Sequence, residues 1–292
     1  MDVFENFVVD WDDAIGKSPS WETVLPKAKR LGGPTEYGNS KWADFNRCPY
    51  RYHLKHNKRL DSTDLSDALE IGGAFHEAIA VYYEKDTTSA FELIRRIKEV
   101  TPVVGLEVDR LFKGWLKFYG PGQPRDLRHF NVAVELAVQQ ARPFPYSARI
   151  DQIICKKDGI WIVEHKTSGA RYMDLVKSYQ MDSQLIGQVY LWNKTSYAKE
   201  YGKCVGVAVD LVTKTKEIGC YWEEVAIGSK LVRAWEKDMI AIAREKQACE
   251  LNNAWPRKRH NCSKYNHLCI YFDYCLSNGK DRNRLAIKRK AK

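Results

Sequence analysis

The sequence lacks any long apolar run, and no stretch approaches the roughly 18 residues that a membrane-spanning helix needs. Its first residues, Met-Asp-Val-Phe-Glu, also lack the basic region and the apolar stretch of a secretory signal. We therefore expect an intracellular protein without a membrane partner. The chain also has no internal repeat and no long low-complexity segment, which excludes a repeat architecture.

The length and composition fit a globular protein with a real core. The 292 residues suffice for one large domain or two small ones. The chain is 44% hydrophobic and 29% charged, with 47 Lys and Arg against 37 Asp and Glu, a net charge of +10. This excess suits a polyanionic partner such as nucleic acid, although many basic proteins bind none, so charge alone does not decide the function.

Eight cysteines in a chain without a secretory signal argue against a disulfide framework. Four of them are scattered through segments that are predicted as strands or as a helix: Cys155, Cys204, Cys220 and Cys249. Cys262, Cys269 and Cys275 crowd together near the C-terminus, and Cys48 stands alone near the start. Three thiols so close in an intracellular chain indicate a metal site.

The apolar pattern predicts helices, then a small sheet interrupted by one helix, then helices again. Glycines and prolines in residues 1–39 predict a loosely structured leader. Ser40 is predicted as the N-cap of the first helix, which Pro49 kinks or breaks. Further helices are predicted at 74–83, 88–100, 105–119, 179–199 and 228–252. Strands are predicted at 132–138, 147–155, 160–167, 204–213 and 216–225. This order indicates an α/β or α+β core with helical additions.

Two carboxylates and one ammonium group are predicted to converge beside this sheet. Glu164 and Lys166 lie two apart in a strand and therefore project together, while His165 points the other way. Asp151 lies on the preceding strand of a hairpin with an Asp-Gly turn and can meet them. Carboxylates hold Mg²⁺, which activates water, and a lysine can orient that water or stabilise negative charge. An isolated Glu-x-Lys is usually an exposed strand edge, so the hairpin context carries the interpretation.

The residues 148–151 and 163–168 resemble the nuclease core of RecB-like exonucleases in the PD-(D/E)XK superfamily, whose pattern is G-R-x-D followed by D/E-x-K-T. Here Ala148 stands where glycine is common, and Ile150 replaces the proline of the superfamily name. The resemblance implies an α/β fold with a restriction-endonuclease-like central mixed sheet flanked by helices. It also implies Asp151 and Glu164 as Mg²⁺ or Mn²⁺ ligands, with Lys166 as the catalytic lysine.

Other segments resemble further elements of the same family. Residues 73–77 resemble its G-x-x-H element, which implies His76 as a metal ligand; a structural histidine is the alternative. The helix after the hairpin resembles its Q-x-x-x-Y element, which implies Gln184 as a residue that helps position the strand. Gln188 stands where that pattern has tyrosine, so Gln184 and Gln188 could act as the pair, with Tyr190 elsewhere. Glu135 and Tyr190 remain candidates for outer contacts with the site, and Glu135 also for a ligand.

Residues 40–52 resemble the segment S-x4-F/Y-x2-C-P-x2-F/Y of AddB-type and CRISPR-associated RecB-like nucleases. In those families one early and three late cysteines hold a 4Fe-4S cluster. The resemblance implies the same for Cys48, Cys262, Cys269 and Cys275, with the cluster joining the N- and C-terminal helical segments. Four cysteines can also hold Zn²⁺, and unbound thiols are the third alternative. Either metal would stabilise the fold rather than act in catalysis.

The resemblance covers residues 40–275 and implies three parts: a leader at 1–39, a nuclease domain at 40–278 and a basic tail at 279–292. It implies a Mg²⁺- or Mn²⁺-dependent deoxyribonuclease in the cytoplasm or at the nucleoid, acting as an exonuclease on single-stranded DNA ends. Two alternatives stay open. One is a noncatalytic DNA-binding module that docks on a helicase or integrase partner, and the other is a structure-specific endonuclease.

Overall fold

A computed structural model describes residues 37–62, 67–123, 125–128, 131–170, 172–264, 267–282 and 285–287. The predicted leader therefore lies outside the described residues except for its last three. The predicted basic tail is described only at 279–282 and 285–287. In the part of the chain that is described, no helix has both the length and the apolar character that crossing a membrane requires.

Helices surround one central sheet. The helices are α1 (Asn39–Arg47), α2 (Pro49–Tyr52), α3 (Asp67–Glu84), α4 (Thr87–Val100), α5 (Pro102–Tyr119), α6 (Tyr172–Tyr179), α7 (Ser183–Lys194), α8 (Tyr197–Glu200), α9 (Ser229–Leu251) and α10 (Phe272–Leu276). A π-helical turn at His53–Asn57 follows α2, and a 3₁₀ turn at Arg259–Asn261 follows α9. The strands are β1 (Leu60–Ser62), β2 (Asn131–Gln140), β3 (Tyr146–Lys156), β4 (Gly159–Ser168), β5 (Cys204–Thr213), β6 (Gly219–Ala226), β7 (Ser263–Lys264), β8 (His267–Leu268) and β9 (Leu285–Ile287).

The central sheet has five strands in the order β2-β3-β4-β5-β6. The β4–β5 pair is parallel and the other three pairs are antiparallel, so the sheet is mixed. Helices α6 to α8 form the crossover between β4 and β5, because parallel neighbours cannot be joined by a tight turn. The predicted α/β class, with a central mixed sheet flanked by helices, is confirmed.

The sheet is buried on both faces, and β4 shows why. Ile160 and Ile162 pack into the core under α7 and α9, whereas Trp161 and Val163 pack into the core under α3, α4 and α5. Successive side chains of a strand point to opposite faces, so a strand buried on both faces is almost continuously apolar. Polar residues in such a strand therefore mark a site or a buried hydrogen bond.

Several predicted boundaries differ from the structure. The N-cap of α1 is Gly38 rather than Ser40, because the N–H groups of Lys41 and Trp42 donate to the carbonyl oxygen of Gly38. The single helix predicted at 179–199 is wrong, since Tyr179 is the last residue of α6, and α7 and α8 occupy the rest of this stretch with breaks before each. Asp182 starts α7 by accepting hydrogen bonds from two backbone N–H groups of its first turn. The predicted break near Pro49 is confirmed, because α1 ends at Arg47 and α2 begins at Pro49.

The two ends of the described chain are joined by direct protein contacts. Leu60 of β1 pairs with Ile287 of β9, and the Tyr271 hydroxyl donates to the Leu60 carbonyl oxygen at 2.6 Å. The Asn261 side chain donates to the Arg47 carbonyl oxygen at 2.6 Å. Hydrogen bonds of the protein itself therefore hold the ends together, independently of the metal joint that the sequence predicts.

Asp44 ties α1 to the segment that follows Cys48. Its carboxylate accepts hydrogen bonds from Arg51 at 2.9 Å and from Lys55 at 2.9 Å, and it lies 3.0 Å from the His56 ring nitrogen. Burial alone would raise the pKa of this carboxyl, but hydrogen bonds from His56, Arg51 and Lys55 hold the pKa well below its usual value near 3.8. The ionised form is thus strongly preferred in the folded protein.

We expect Asp44→Asn to lower the free energy of unfolding by about 3 kcal/mol, because it leaves the half-buried cations Arg51 and Lys55 uncompensated. The depressed pKa means that this carboxylate contributes stability above about pH 4, and the contribution is lost as pH falls. Urea unfolding at pH 7 and pH 3 should therefore show a larger difference between wild type and variant at pH 7. An equal difference at both pH values would contradict this role.

Candidate active site and four-cysteine pocket

The predicted carboxylates lie where β3 and β4 separate. Pairing between these strands ends at Gln152 opposite Val163, and Asp151 and Glu164 are the next residues on each strand. Both side chains are buried, and Asp151 Oδ2 accepts a hydrogen bond from the backbone N–H of His165 at 3.0 Å. We call this point, where β3 and β4 separate at Asp151 and Glu164, the fork. The Asp151 carboxylate accepts the hydrogen bond that a backbone carbonyl would accept in a continued strand pair, and this bond holds Asp151 beside β4.

His76 reaches the same fork from α3. Its Nδ1 lies 3.2 Å from Asp151 Oδ2. Burial opposes protonation of His76, but the Asp151 and Glu164 carboxylates raise its pKa to about 9. The His76 cation in turn holds the pKa of Asp151 below its usual range, although burial acts in the opposite direction. The structure therefore places His76 in contact with Asp151 and close enough to Glu164 to feel its charge, and the role of the three as metal ligands stays a prediction.

Glu164 is held by three side-chain donors. Its Oε1 lies 2.5 Å from Lys166 Nζ and 2.5 Å from Gln184 Nε2. Its Oε2 accepts from Gln188 Nε2 at 2.6 Å. Burial opposes the charge on Lys166, but Glu164 and Asp151 raise the pKa of its ammonium group. Gln184 and Gln188 therefore act as the pair of α7 that contacts the site, in the arrangement that helix geometry favours.

Gln184 and Gln188 of α7 both reach the Glu164 carboxylate because α7 lies very close to the sheet. Gly187 stands between them, and a Cβ at this position would collide with the hydroxyl of Tyr146 on β3. A larger residue would push the helix away from the sheet and carry both amides away from Glu164. The glycine is therefore required by the close approach rather than by its backbone angles.

Tyr190 and Glu135 make other contacts. The Tyr190 hydroxyl donates to Glu236 at 2.8 Å and accepts from Gln140 at 2.9 Å, and neither partner belongs to the fork. Glu135 lies beside Asp151 in the strand register and forms a 2.7 Å ion pair with Arg149. Its φ of 52° places it in the left-handed region, which marks an irregular point in β2. A direct role for Glu135 at the site stays a prediction.

A buried acid that the sequence interpretation missed lies on β5, on the side of the sheet to which the His165 side chain points. Asp210 of β5 stands directly across from His165, and its Oδ2 lies 2.8 Å from His165 Nδ1. The same oxygen accepts a 2.7 Å hydrogen bond from the indole N–H of Trp115 on α5. The available signal was an acid in the middle of an otherwise apolar strand, where an unpaired charge would be costly.

The donor types at the fork suit a hard divalent cation. Two carboxylates and one imidazole are ligands that Mg²⁺ or Mn²⁺ accepts. In this structure the Asp151 carboxylate is paired with His76. The Glu164 carboxylate accepts hydrogen bonds from the side chains of Lys166 and Gln188. Among the described residues, no group of three or more His, Cys, Asp or Glu side chains is placed to hold a metal ion. Binding a cation there requires these contacts to rearrange.

The four predicted cluster cysteines line one pocket. A cavity of about 390 Å³ near the joined chain ends is lined by Cys48, Cys262, Cys269 and Cys275. Five basic side chains also line it: Arg47, Arg51, Arg257, Lys258 and Arg259. The Arg51 guanidinium donates to Cys269 Sγ at 3.6 Å, and burial raises the pKa of the Cys275 thiol to about 11. The other four cysteines lie on strands of the central sheet and on α9.

Comparisons with known proteins identify a family whose model covers most of the chain. The PD-(D/E)XK nuclease superfamily matches residues 39–275, and the comparison with curated proteins yields no match. A solved structure from Eubacterium rectale, provisionally named an exonuclease, has a TM-score of 0.51 and 15% identity, over 81% of this chain and 92% of that one. The solved structure of SSO0001 has a TM-score of 0.34 and 16% identity, over 72% of this chain and 78% of that one. The matched region includes the fork and the four-cysteine pocket, and this chain belongs to the PD-(D/E)XK nuclease superfamily.

Proposed function

We propose that the protein is a Mg²⁺- or Mn²⁺-dependent deoxyribonuclease of the RecB-like branch, acting as an exonuclease on single-stranded DNA ends. The observation that carries the proposal is the convergence of His76, Asp151, Glu164 and Lys166 at the fork between β3 and β4. A site with two acids, one imidazole and one ammonium group fits phosphodiester hydrolysis better than binding alone. The net charge of +10 is consistent with a nucleic-acid substrate.

Each side chain at the fork has a distinct task in this proposal. Asp151, Glu164 and His76 would hold the divalent cation, which supplies an activated water and offsets charge on the phosphate when bound. Lys166 keeps its proton because the neighbouring carboxylates raise its pKa, so its ammonium group can stabilise negative charge that develops on the phosphate. Gln184 and Gln188 orient the Glu164 carboxylate from α7.

The four-cysteine pocket is proposed to hold a 4Fe-4S cluster, with zinc as the less favoured occupant. The thiols that line it come from one early and three late positions, which is the pattern of the nucleases that the sequence resembles. A set of four thiolates carries negative charge, and the five basic side chains around the cavity compensate such charge. The cluster would add stability to a joint that the protein already makes by hydrogen bonds.

A gel assay with end-labelled linear and closed circular single strands tests the activity. With Mg²⁺ or Mn²⁺, we expect the linear strand to shorten from an end while the circle persists, and chelation of the metal to stop the reaction. Cleavage of the circle would instead assign an endonuclease. Failure to cut any DNA with either metal would leave a DNA-binding module, whose docking on a helicase or integrase partner would then be the next hypothesis.

We expect His76→Ala to reduce cleavage at limiting Mn²⁺ by about 10- to 100-fold and to raise the Mn²⁺ concentration for half-maximal rate. The reason is that an imidazole is a favourable Mn²⁺ ligand, and its loss leaves only carboxylates and water. Rates measured across a Mn²⁺ titration test this. The control is His260→Ala, since His260 is exposed on the 3₁₀ turn. An unchanged rate at limiting Mn²⁺ would make His76 a structural residue.

A further inference from the structure

The hydrogen-bonded group behind the catalytic strand consists of Asp210, His165 and Trp115. Asp210 is fully buried, and the His165 side chain is 3% exposed. A single carboxylate oxygen, Asp210 Oδ2, contacts both His165 Nδ1 and the Trp115 indole N–H. The group therefore links β5, β4 and α5 through one atom, within the core under α3, α4 and α5.

This group is costly for a core of its kind. Burying an acid and an imidazole removes both from water, and the pair regains only part of that free energy through its contacts. Within the described residues, Asp210 Oδ1 and His165 Nε2 are buried without a hydrogen-bond partner. Apolar side chains of similar volume would serve stability alone at least as well. The arrangement thus points to a purpose other than stability.

The position of His165 suggests that purpose. His165 lies between Glu164 and Lys166 on β4, and its side chain points to the face opposite theirs. Its backbone N–H also donates to Asp151 Oδ2. Any shift of the His165 backbone therefore moves both carboxylates of the fork. Metal ligands tolerate only small displacements, about 0.5 Å, before the productive geometry is lost.

We propose that Asp210 is a positioning residue for the metal-binding carboxylates. By holding the His165 ring and, through Trp115, fixing β4 against α5, it sets the spacing between Asp151 and Glu164 at the fork. Asp210 itself does not touch metal or DNA, and it acts through the backbone of His165. The proposal rests on the proposed function in one respect, which is that the fork binds a divalent cation.

Two replacements of Asp210 separate geometry from simple stability. Asp210→Ala removes both hydrogen bonds, and we expect Mn²⁺ affinity to fall by about tenfold or more, with lower kcat and nearly unchanged KM for DNA. In Asp210→Asn the amide oxygen can accept the same two hydrogen bonds, so Mn²⁺ affinity should stay within about threefold of wild type. Calorimetric Mn²⁺ titration and steady-state kinetics, both corrected for the folded fraction, measure these effects.

Trp192→Phe provides a matched control, since Trp192 is also fully buried and its indole N–H donates to the Gly202 carbonyl oxygen at 3.0 Å. This variant should lose thermal stability but keep Mn²⁺ affinity and kcat. If Asp210→Ala does not fold, Trp115→Phe removes one of the two hydrogen bonds, keeps an aromatic ring, and should weaken Mn²⁺ binding in the same direction.

The outcomes separate this proposal from the proposed function. Wild-type Mn²⁺ affinity in folded Asp210→Ala, or in Trp115→Phe where the alanine variant does not fold, would overturn the positioning role, even if the wild-type enzyme cuts DNA. A wild-type protein that binds Mn²⁺ but cuts no DNA would overturn the nuclease proposal, while the affinity ratio between the Asp210 variants would still decide the positioning role. A wild-type protein that binds neither Mn²⁺ nor Mg²⁺ would overturn both.

Discussion

Replacing Lys166 with alanine should reduce DNA cleavage by about 10²- to 10³-fold or more, because the reaction loses a charged donor aimed at the phosphate. The fold should persist, since Glu164 keeps the hydrogen bonds from Gln184 and Gln188. Asp151→Ala and Glu164→Ala should abolish cleavage as well, each by removing a carboxylate from the fork. Single-turnover rates on labelled single strands, with circular dichroism to verify folding, measure the effect.

Lys156→Ala is the matched control for these variants. Lys156 lies on the same hairpin, at its turn end, and its Nζ is 2.8 Å from the Glu224 carboxylate. Its loss removes a lysine and an ion pair of similar size without touching the fork, so cleavage should stay near the wild-type rate. If two of the three fork variants kept near-wild-type turnover, the assigned active site would be wrong.

Changing Cys48 to serine should remove the metal from the four-cysteine pocket. Protein purified without oxygen should be brown and should contain about four irons per chain, whereas the Cys48→Ser variant should be colourless and should melt at a lower temperature. Three thiols remain around the cavity, but they cannot complete a four-thiolate set. Iron analysis, visible absorbance and thermal melting measure these properties.

Cys155→Ser is the control for the cluster prediction. Cys155 lies on β3 at the hairpin, where its thiol donates to the Lys156 carbonyl oxygen at 3.8 Å, and it does not line the four-cysteine pocket, so iron content should not change. A colourless wild-type protein with one tightly held zinc would exclude the iron–sulfur cluster but keep a metal at the joint. Equal stability and no metal in both wild type and Cys48→Ser would exclude any metal there.

The hairpin and its carboxylates could be predicted from sequence because their signals are local. The Lys157-Asp158-Gly159 segment marks the hairpin in the sequence, and in the structure Lys157 and Asp158 form the turn while Gly159 pairs with Lys156. Strand alternation then places Glu164 and Lys166 on one face. That Gln184 and Gln188 share one face of a helix also follows from their spacing alone, because residues four apart lie on the same side. These features need no knowledge of how distant segments pack.

The missed features depend on packing between distant segments. Trp115 and Asp210 are 95 positions apart, so no local pattern pairs them. Tyr190 is directed to Glu236 on α9, which is 46 positions away, so helix spacing could exclude Tyr190 from the glutamine face but could not identify its partner.

The contacts between the chain ends can form only late in translation, because they join segments made at its beginning and its end. Arg47 and Asn261, which meet beside the four-cysteine pocket, are 214 positions apart. At roughly 5–20 residues per second, a ribosome needs about 10–40 s to make the chain between them. During that time Cys48 has none of its three thiol neighbours, and α1 lacks the C-terminal contacts of the finished protein. Loading of the proposed metal at four thiols would therefore be confined to the end of translation or later, whereas the β3–β4 hairpin can form during translation.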